Sequence, residues 1–314
     1  MSVDRVHTLY AAQLYTDAMG AAVLLCGLQN SSIRTGSEIR SEPASGDPYP
    51  RHQAIVAQKP MATLESFHIA RYLDAMGYSG HPIKSATNYG LRLYAAKFTE
   101  GSTLASGSVH RKYTIREGML CPRRLTCSHQ GDATITYEAL VTYDGTNDPI
   151  VIADSEALPS GLIDDERFTL GAVTFGGVSL PQVTQLDIDF GLDAQTEGTN
   201  SDIWDTHSTL RKVRPSITLR GIDIEWFKSS VIPLIGLNGT HANSGFYLRK
   251  RSVGGTFVAN ATAEHIHGTI CGLAVVEEAF SAQTNQNAEP SVTIPLRHDG
   301  TNYPIVFDTT SAIT

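Results

Sequence analysis

At 314 residues the chain has material for one large domain or two of ordinary size, each with a buried core. Its composition, 41% hydrophobic and 18% charged with 27 Gly and 14 Pro, is globular, and no run of about 20 apolar residues offers a membrane span. The net charge of −8 argues against a protein that grips nucleic acid through its phosphates, and it suits a surface that DNA passes without sticking.

Along the chain, the first apolar run is Ala21–Leu28, which reads as an opening strand. The stretch before it carries Asp4 and Asp17 and lacks a basic start, so a signal peptide is not expected. A second strand is expected around Ile33–Ile39. The polar stretch SEPASGDPYPRHQAIVAQKP follows, without strong periodicity; it reads as a long loop, and loops of that length are commonly functional. After Pro60, MATLESF restarts a strand, and IARYLDAMG has the apolar spacing and glycine stop of a short helix. LRLYAAKF, HRKYTIRE and TITYEALVTYD then read as strands, and DGTN at 144–147 as a turn.

The second half takes the same order. Ala172–Val183 opens it, with Gly176–Gly177 expected as a kink or bulge. QVTQLDIDFGL alternates apolar and polar residues with the period of a half-buried strand over Val183–Leu192. TEGTNSDIWDTHSTLRKVRP is its long loop, SITLRGI its next strand, and IEWFKSSVIPLIG its expected helix. GFYLRKRS, HGTICGLAVVEEAF and SVTIPLRHD complete the strands before a second DGTN at 299–302.

These parallels share one ungapped offset of 155 residues. YDGTNDPIV at 143–151 falls on HDGTNYPIV at 298–306, KPMATLESFHIARYL on RPSITLRGIDIEWFK, and SVHRKYTI on AEHIHGTI; Glu42 and His52 fall on Glu197 and His207. The chain therefore reads as two tandem homologous units, 1–159 and 160–314, joined near Ser160–Asp164. The expected fold is mainly β: two β-sandwich or half-barrel domains, each with one short helix and a long inter-strand loop. The four cysteines lack zinc-knuckle spacing and read as free thiols of a reducing cytoplasm.

Catalytic signatures are missing: there is no GxSxG, GxxxxGK[ST], HExxH or GxGxxG, so an enzyme is not expected. His265 and His267 alternate on a strand, as the metal ligands of a two-domain cupin would, but the acidic residue and later histidine of that pattern are not in place; no metal and no cofactor are expected. Arg249–Arg251 reads as a solvated strand end, and the Asn30, Asn238 and Asn260 sequons lack a secretion signal. Charge separates the halves: residues 1–159 carry 14 Lys/Arg against 15 Asp/Glu, and residues 160–314 carry 10 against 17. Asp187, Asp189 and Asp193 are spaced to share one strand face, a candidate acidic wall.

The order strand, strand, long loop ending in Pro, strand, helix, strands resembles the bacteriophage tail tube protein family. The resembling residues run from VTFGGVSLPQ to RGIDIEWF in the second half and, in a more degenerate form, from SSIRTGSEIR to FHIARYL in the first. The resemblance implies β-sandwich domains whose inner sheets join around a ring, normally of six domains, so that three of these chains would close one ring and stacked rings would form a tube. It implies a virion tail protein without enzymatic activity, assembled in the host cytoplasm. Its partners would be its own copies, the tape measure, tail terminator and baseplate proteins, and genomic DNA passing unbound through the lumen; no membrane is involved. On this reading Asp187, Asp189 and Asp193 line the lumen, while Glu42, His52, Glu197, Trp204 and His207 lie in loops that reach the next ring. The alternatives are a distal tail, baseplate or head–tail joining ring, a metal-binding bicupin enzyme, and a carbohydrate-binding β-sandwich.

Overall fold

The computed structural model describes residues 5–15, 22–84, 90–99, 103–163, 166–199, 203–222, 224–226, 232, 244–272, 275–278, 282, 284 and 288–314. The chain is mainly β, with Ile69–Met76 as the one α-helix among the described residues. That helix buries Ile69, Tyr72, Leu73 and Met76, the three- and four-residue spacing of a single face, and ends at Gly77 with a positive φ of 64°.

A nine-stranded antiparallel sheet forms the centre and runs through both halves of the chain. Its order is Val275–Glu278, Ser291–Pro295, Ser216–Gly221, Val183–Asp189, Glu117–Ser128, Thr134–Thr142, Met61–Ser66 and Leu28–Arg34, with the short strand His81–Ile83 also paired to Glu117–Ser128. The halves meet at a seam in the middle, where Arg124 lies opposite Asp189 and the register continues to Ser128 opposite Gln185. Two five-stranded sheets cover one face of it. The first runs Ile150–Glu156, His110–Ile115, Gly90–Phe98, Arg5–Tyr15, Ala22–Leu25, and the second Val178–Ser179, Arg167–Phe175, Ser244–Arg251, His265–Ile270, Ile305–Ser311.

Period-two alternation explains why the layers stack this way. Leu125, Cys127, Ile135, Tyr137, Leu186, Ile188, Ile217, Leu219, Val292 and Ile294 are buried on the covered face, in one cluster with Leu14, Leu91, Phe168, Phe246 and Leu248 of the outer sheets. Each such side chain contributes roughly 1.5–3 kcal/mol of burial, so the two halves share a core across the seam. Phe307 extends it, lying 6.4 Å from Tyr78 and 6.3 Å from Phe190 by ring centroids.

Strand bounds recur at the 155-residue offset: Leu28–Arg34 with Val183–Asp189, Met61–Ser66 with Ser216–Gly221, His110–Ile115 with His265–Ile270, and Ile150–Glu156 with Ile305–Ser311. The two DGTN turns have the same internal bonding. Asp144 Oδ1 accepts the Thr146 and Asn147 N–H groups at 2.9 and 2.6 Å, and Asp299 Oδ1 accepts those of Thr301 and Asn302 at 2.9 and 2.7 Å.

Several local expectations are corrected. Arg5–Tyr15 opens the fold; the run expected as the first strand is split at Gly27, whose φ is 65°, into Ala22–Leu25 and Leu28–Arg34. The strand expected over Ile33–Ile39 divides likewise at Gly36, with φ 56°. Gly176–Gly177 is a full hairpin turn between paired Phe175 and Val178, because both glycines take the positive φ of a type I′ turn. Of the expected second helix, 224–236, Ile224–Trp226 is a 3-10 turn and Ile232 is irregular, while 227–231 and 233–236 lie outside the described residues.

The two long loops are β-hairpin arms. Ser37–Pro43 pairs with Pro50–Gln58, and Leu192–Glu197 with His207–Val213, each as a separate two-stranded ladder. Both faces of the first arm meet solvent, so nothing imposes an apolar–polar alternation on its sequence, and the strands are silent to a periodicity test. Gly36 and Gly191 set the arm bases: a Cβ there would lie 2.2 Å from Lys59 O and 2.0 Å from Arg214 O respectively.

Candidate assembly surfaces

Four features stand out: the free edges of the central sheet, its uncovered face, a clasp between the halves, and the arms. Among the described residues Leu28–Arg34 pairs only with Met61–Ser66, and Val275–Glu278 only with Ser291–Pro295, so these strands end the central sheet. At the 155-residue offset, Leu28–Arg34 is the counterpart of Val183–Asp189, and Val275–Glu278 the counterpart of Leu120–Arg123 within Glu117–Ser128. The sheet therefore ends in counterparts of the two strands it joins at its seam.

An apolar groove of about 360 Å³ runs beside the Leu28–Arg34 edge, lined by Leu9, Ser31, Ile33, Leu93, Tyr94 and Tyr113. At the seam the counterparts of the half-buried Ser31 and Ile33 are Leu186 and Ile188, and both are fully buried. Leu125 and Cys127 lie opposite Ile188 and Leu186 there, so the first half of the chain covers at the seam what is open at the edge.

The uncovered face of the central sheet is rich in hydroxyls. Thr63, Thr126, Thr134, Thr136, Thr218 and Thr293 sit at alternate positions to the buried residues, with Ser32 and Ser216 beside them. Asp187 and Asp189 are on this face, as their spacing requires, and the charge of Asp187 is neutralised. Asp187 pairs with Arg124 at 2.9 Å and accepts from Gln185 Nε2 at 2.6 Å, and its side chain is 12% exposed. Glu138 pairs with Arg123 at 2.7 Å. Asp193 is a correction: the strand ends at Asp189, Asp189 Oδ1 accepts the Gly191 N–H at 2.8 Å, and Asp193 lies on the second arm opposite Lys212. The sequence hid this neutralisation because Arg123 and Arg124 reach the face from a strand about 60 residues earlier.

The clasp holds Trp204, in the turn of the second arm, onto the first half. Gln58 donates its backbone N–H to Ile203 O at 2.7 Å, and Trp204 donates its indole N–H to Gln58 Oε1 at 2.8 Å. The indole packs on Tyr143 with centroids 4.9 Å apart, Tyr143 N–H donates to Asp205 O at 2.8 Å, and Lys59 Nζ stands 3.5 Å from Asp205. Thr196 Oγ1 donates to the same carboxylate. Trp204, expected to reach another ring, is thus engaged within its own chain.

The other arm residues remain at the surface. Glu42 lies opposite His52, and Arg40 donates to Glu42 from Nε at 2.6 Å; Glu197 lies opposite His207 and pairs with Arg211 at 2.9 Å. Hydrogen bonds from Gln195 and Arg211 hold the Glu197 carboxyl below the usual carboxylate range. Ile39 is 67% and Tyr49 75% exposed, apolar surface with no core to cover it.

The strand histidines serve structure. His265 Nδ1 accepts the Lys250 N–H at 3.0 Å and its Nε2 is 3.0 Å from Ala259 O, so both ring nitrogens are engaged. His110 Nδ1 likewise accepts the Lys97 N–H at 3.0 Å. His267 stacks on Tyr247 at 4.4 Å, and desolvation lowers its pKa. No cluster of three or more His, Cys, Asp or Glu suited to a metal occurs among the described residues. No helix among the described residues is long and apolar enough to cross a membrane. Comparison with protein-family models and with curated protein sequences finds no match to this chain.

Proposed function

We propose that this chain is a virion structural protein, the tail tube subunit of a long-tailed phage, whose work is assembly without bond chemistry. Its two halves act as two copies of one unit, and chains join head to tail by repeating the seam between copies. The observation that carries this reading is that the free edges of the central sheet are the offset counterparts of the strands paired at the seam. A strand edge with unpaired backbone groups is a template for another strand, and closing a ring removes both edges. The contact is heterologous, so the angle between successive units decides whether it closes. Three chains supply six units, the ring size that the tail tube resemblance implies.

On this reading the hydroxyl-rich uncovered face lines the lumen. Hydroxyls hold water, and in the Arg123–Glu138 and Arg124–Asp187 pairs each cation is matched by a carboxylate, which weakens its hold on a phosphate backbone. The protein belongs to the virion tail, with copies of itself and neighbouring tail proteins as partners and DNA as passing cargo.

Purified chain examined by native mass spectrometry and negative-stain microscopy tests this directly. Three-chain rings, alone or stacked, are the expected result. Rings that never stack favour a tail-tip or joining ring, and a monomer at all concentrations overturns the reading.

A further inference from the structure

The clasp inside the chain has an unoccupied counterpart on the surface. Shifted by 155 residues, Gln58, Lys59 and Tyr143 become Val213, Arg214 and His298, while Ile203, Trp204 and Asp205 become Pro48, Tyr49 and Pro50. All six counterparts are exposed: Tyr49 is 75% and Val213 39% accessible, and Pro48, Pro50, Arg214 and His298 lie in the exposed class. Tyr49 is held at the tip of the first arm by its own turn, where Asp47 accepts the Tyr49 N–H at 3.0 Å and Arg51 bonds Asp47 at 2.5 Å. His298 is likewise preset: its Nδ1 accepts the Gly300 N–H at 2.9 Å and its ring meets Tyr303 edge-on at 5.3 Å.

We propose that Tyr49 of one chain docks on Val213, Arg214 and His298 of the next copy of this chain, repeating between chains the clasp that Trp204 makes within one. The inference rests on the head-to-tail ring reading and assigns the residues that lock that ring beside its sheet edges. The Val213 and His298 N–H groups meet the carbonyls of Pro48 and Pro50, as those of Gln58 and Tyr143 meet Ile203 and Asp205 within the chain. Tyr49 lies between the guanidinium of Arg214 and the ring of His298, contacts that favour an aromatic face.

A second apolar counterpart falls on the same side of the unit. Phe307 packs against Tyr78, beside the helix whose Asp74 accepts from Thr309 Oγ1 at 2.7 Å; its counterpart Ile152 is 56% exposed. The inter-chain clasp is the weaker of the two. Val213 cannot accept as Gln58 Oε1 does, and Pro50 replaces the Asp205 that pairs with Lys59. That asymmetry suits chains that fold first and assemble afterwards.

The test is a full-length double variant, Tyr49→Cys with His298→Cys, oxidised after assembly and run on a non-reducing gel, beside Trp204→Cys with Tyr143→Cys as the intramolecular control. The expected result is covalent dimers and trimers from the first pair and only monomers from the second. Assembled rings that give no inter-chain disulfide overturn the clasp and leave the ring reading standing; chains that never assemble overturn both. Should the double variant misfold, Tyr49→Ala gives an independent reading. It should raise the chain concentration at half-assembly about thirtyfold, the effect of losing about 1.4 kcal/mol at each of the three contacts of a closed three-chain ring. Rings of unchanged affinity that fail only to stack would place Tyr49 between rings and overturn the proposal.

Discussion

Trp204 and Gln58, 146 residues apart in sequence, are joined by an indole-to-amide hydrogen bond of 2.8 Å, which with the Gln58 N–H to Ile203 O bond ties the second arm to the base of the first. Its partners, Tyr143 at 4.9 Å and the Lys59–Asp205 pair, make the site one where stacking, burial and hydrogen bonding act together. Trp204→Ala should cost the isolated chain about 2–3 kcal/mol, less than the loss of a fully buried Trp because the indole is only half-buried. Urea unfolding of the monomer measures this, and a midpoint equal to the parent's would show that the clasp contributes nothing.

The arm bases give a backbone prediction. Gly191→Ala forces a left-handed residue with a Cβ 2.0 Å from Arg214 O, and Gly36→Ala does the same against Lys59 O at 2.2 Å. Each should destabilise by about 1–3 kcal/mol. Gly46→Ala in the turn of the first arm is the comparison: its φ is also positive, at 83°, but nothing lies within 4 Å of the added Cβ, so its cost is strain without collision. Thermal melts of the three variants should rank Gly46→Ala as the mildest.

The thiols provide a chemical probe of the core. Cys26, Cys121, Cys127 and Cys271 are all buried and unpaired. Burial pushes the Cys121 thiol up to about 11 and the Cys127 thiol up to about 12, so neither offers thiolate at neutral pH. Native protein should resist an aromatic disulfide reagent and release four equivalents only on unfolding. Fast reaction at Cys127, which lies opposite Leu186, would indicate that the seam between the halves opens.

Acid should loosen the second DGTN turn. Asp299 is held well below the ordinary aspartate value of 3.8, first by the Asn302 backbone N–H and then by the Asn302 side chain and the Thr301 N–H. A carboxylate depressed on folding contributes stability that is fully present above its unfolded value and lost as pH falls through the folded one. The difference in unfolding midpoint between the parent and Asp299→Ala should therefore be constant near neutrality and shrink once the pH drops below about 4. A difference that persists unchanged into strong acid would place the turn's stability elsewhere.

How much was readable in advance follows from what each segment buries. Val183–Asp189 alternates because Leu186 and Ile188 face the core and Asp187 and Asp189 do not, so its face is legible, while the strand stops at Asp189, short of the expected Leu192. The helix at Ile69–Met76 was legible for the same reason. Ser41–Pro43 and most of Pro50–Gln58 meet solvent on both sides, so these strand residues leave no pattern and their sequence reads as loop. The neutralisation of Asp187 was hidden for a different reason: Arg124 reaches it through strand pairing, which a linear spacing rule cannot see. The sequence marks Trp204 only by its place between the strands of the second arm; the fold brings Tyr143 and Gln58 to it.

The arms carry the stacking claim. Replacing residues 38–57 with a short Asn-Gly turn should leave the core intact, because the first arm forms its own two-stranded ladder. Circular dichroism should be nearly unchanged in shape, while rings should weaken as for Tyr49→Ala and those that still form at high concentration should not stack into tubes. Normal tubes from this variant would assign stacking to other surfaces.

The central claim is that the seam between Val183–Asp189 and Glu117–Ser128 is repeated between chains at the Leu28–Arg34 edge. Of two neighbouring N–H groups on that edge strand, one points outward, so Ser31→Pro and Ser32→Pro together sample both directions. Native mass spectrometry of the parent should give three times the chain mass of 33.9 kDa, or multiples of it, and the proline variant that keeps its fold should give the single chain. A parent that is monomeric, or a folded proline variant at each position that still forms three-chain rings, would contradict the account.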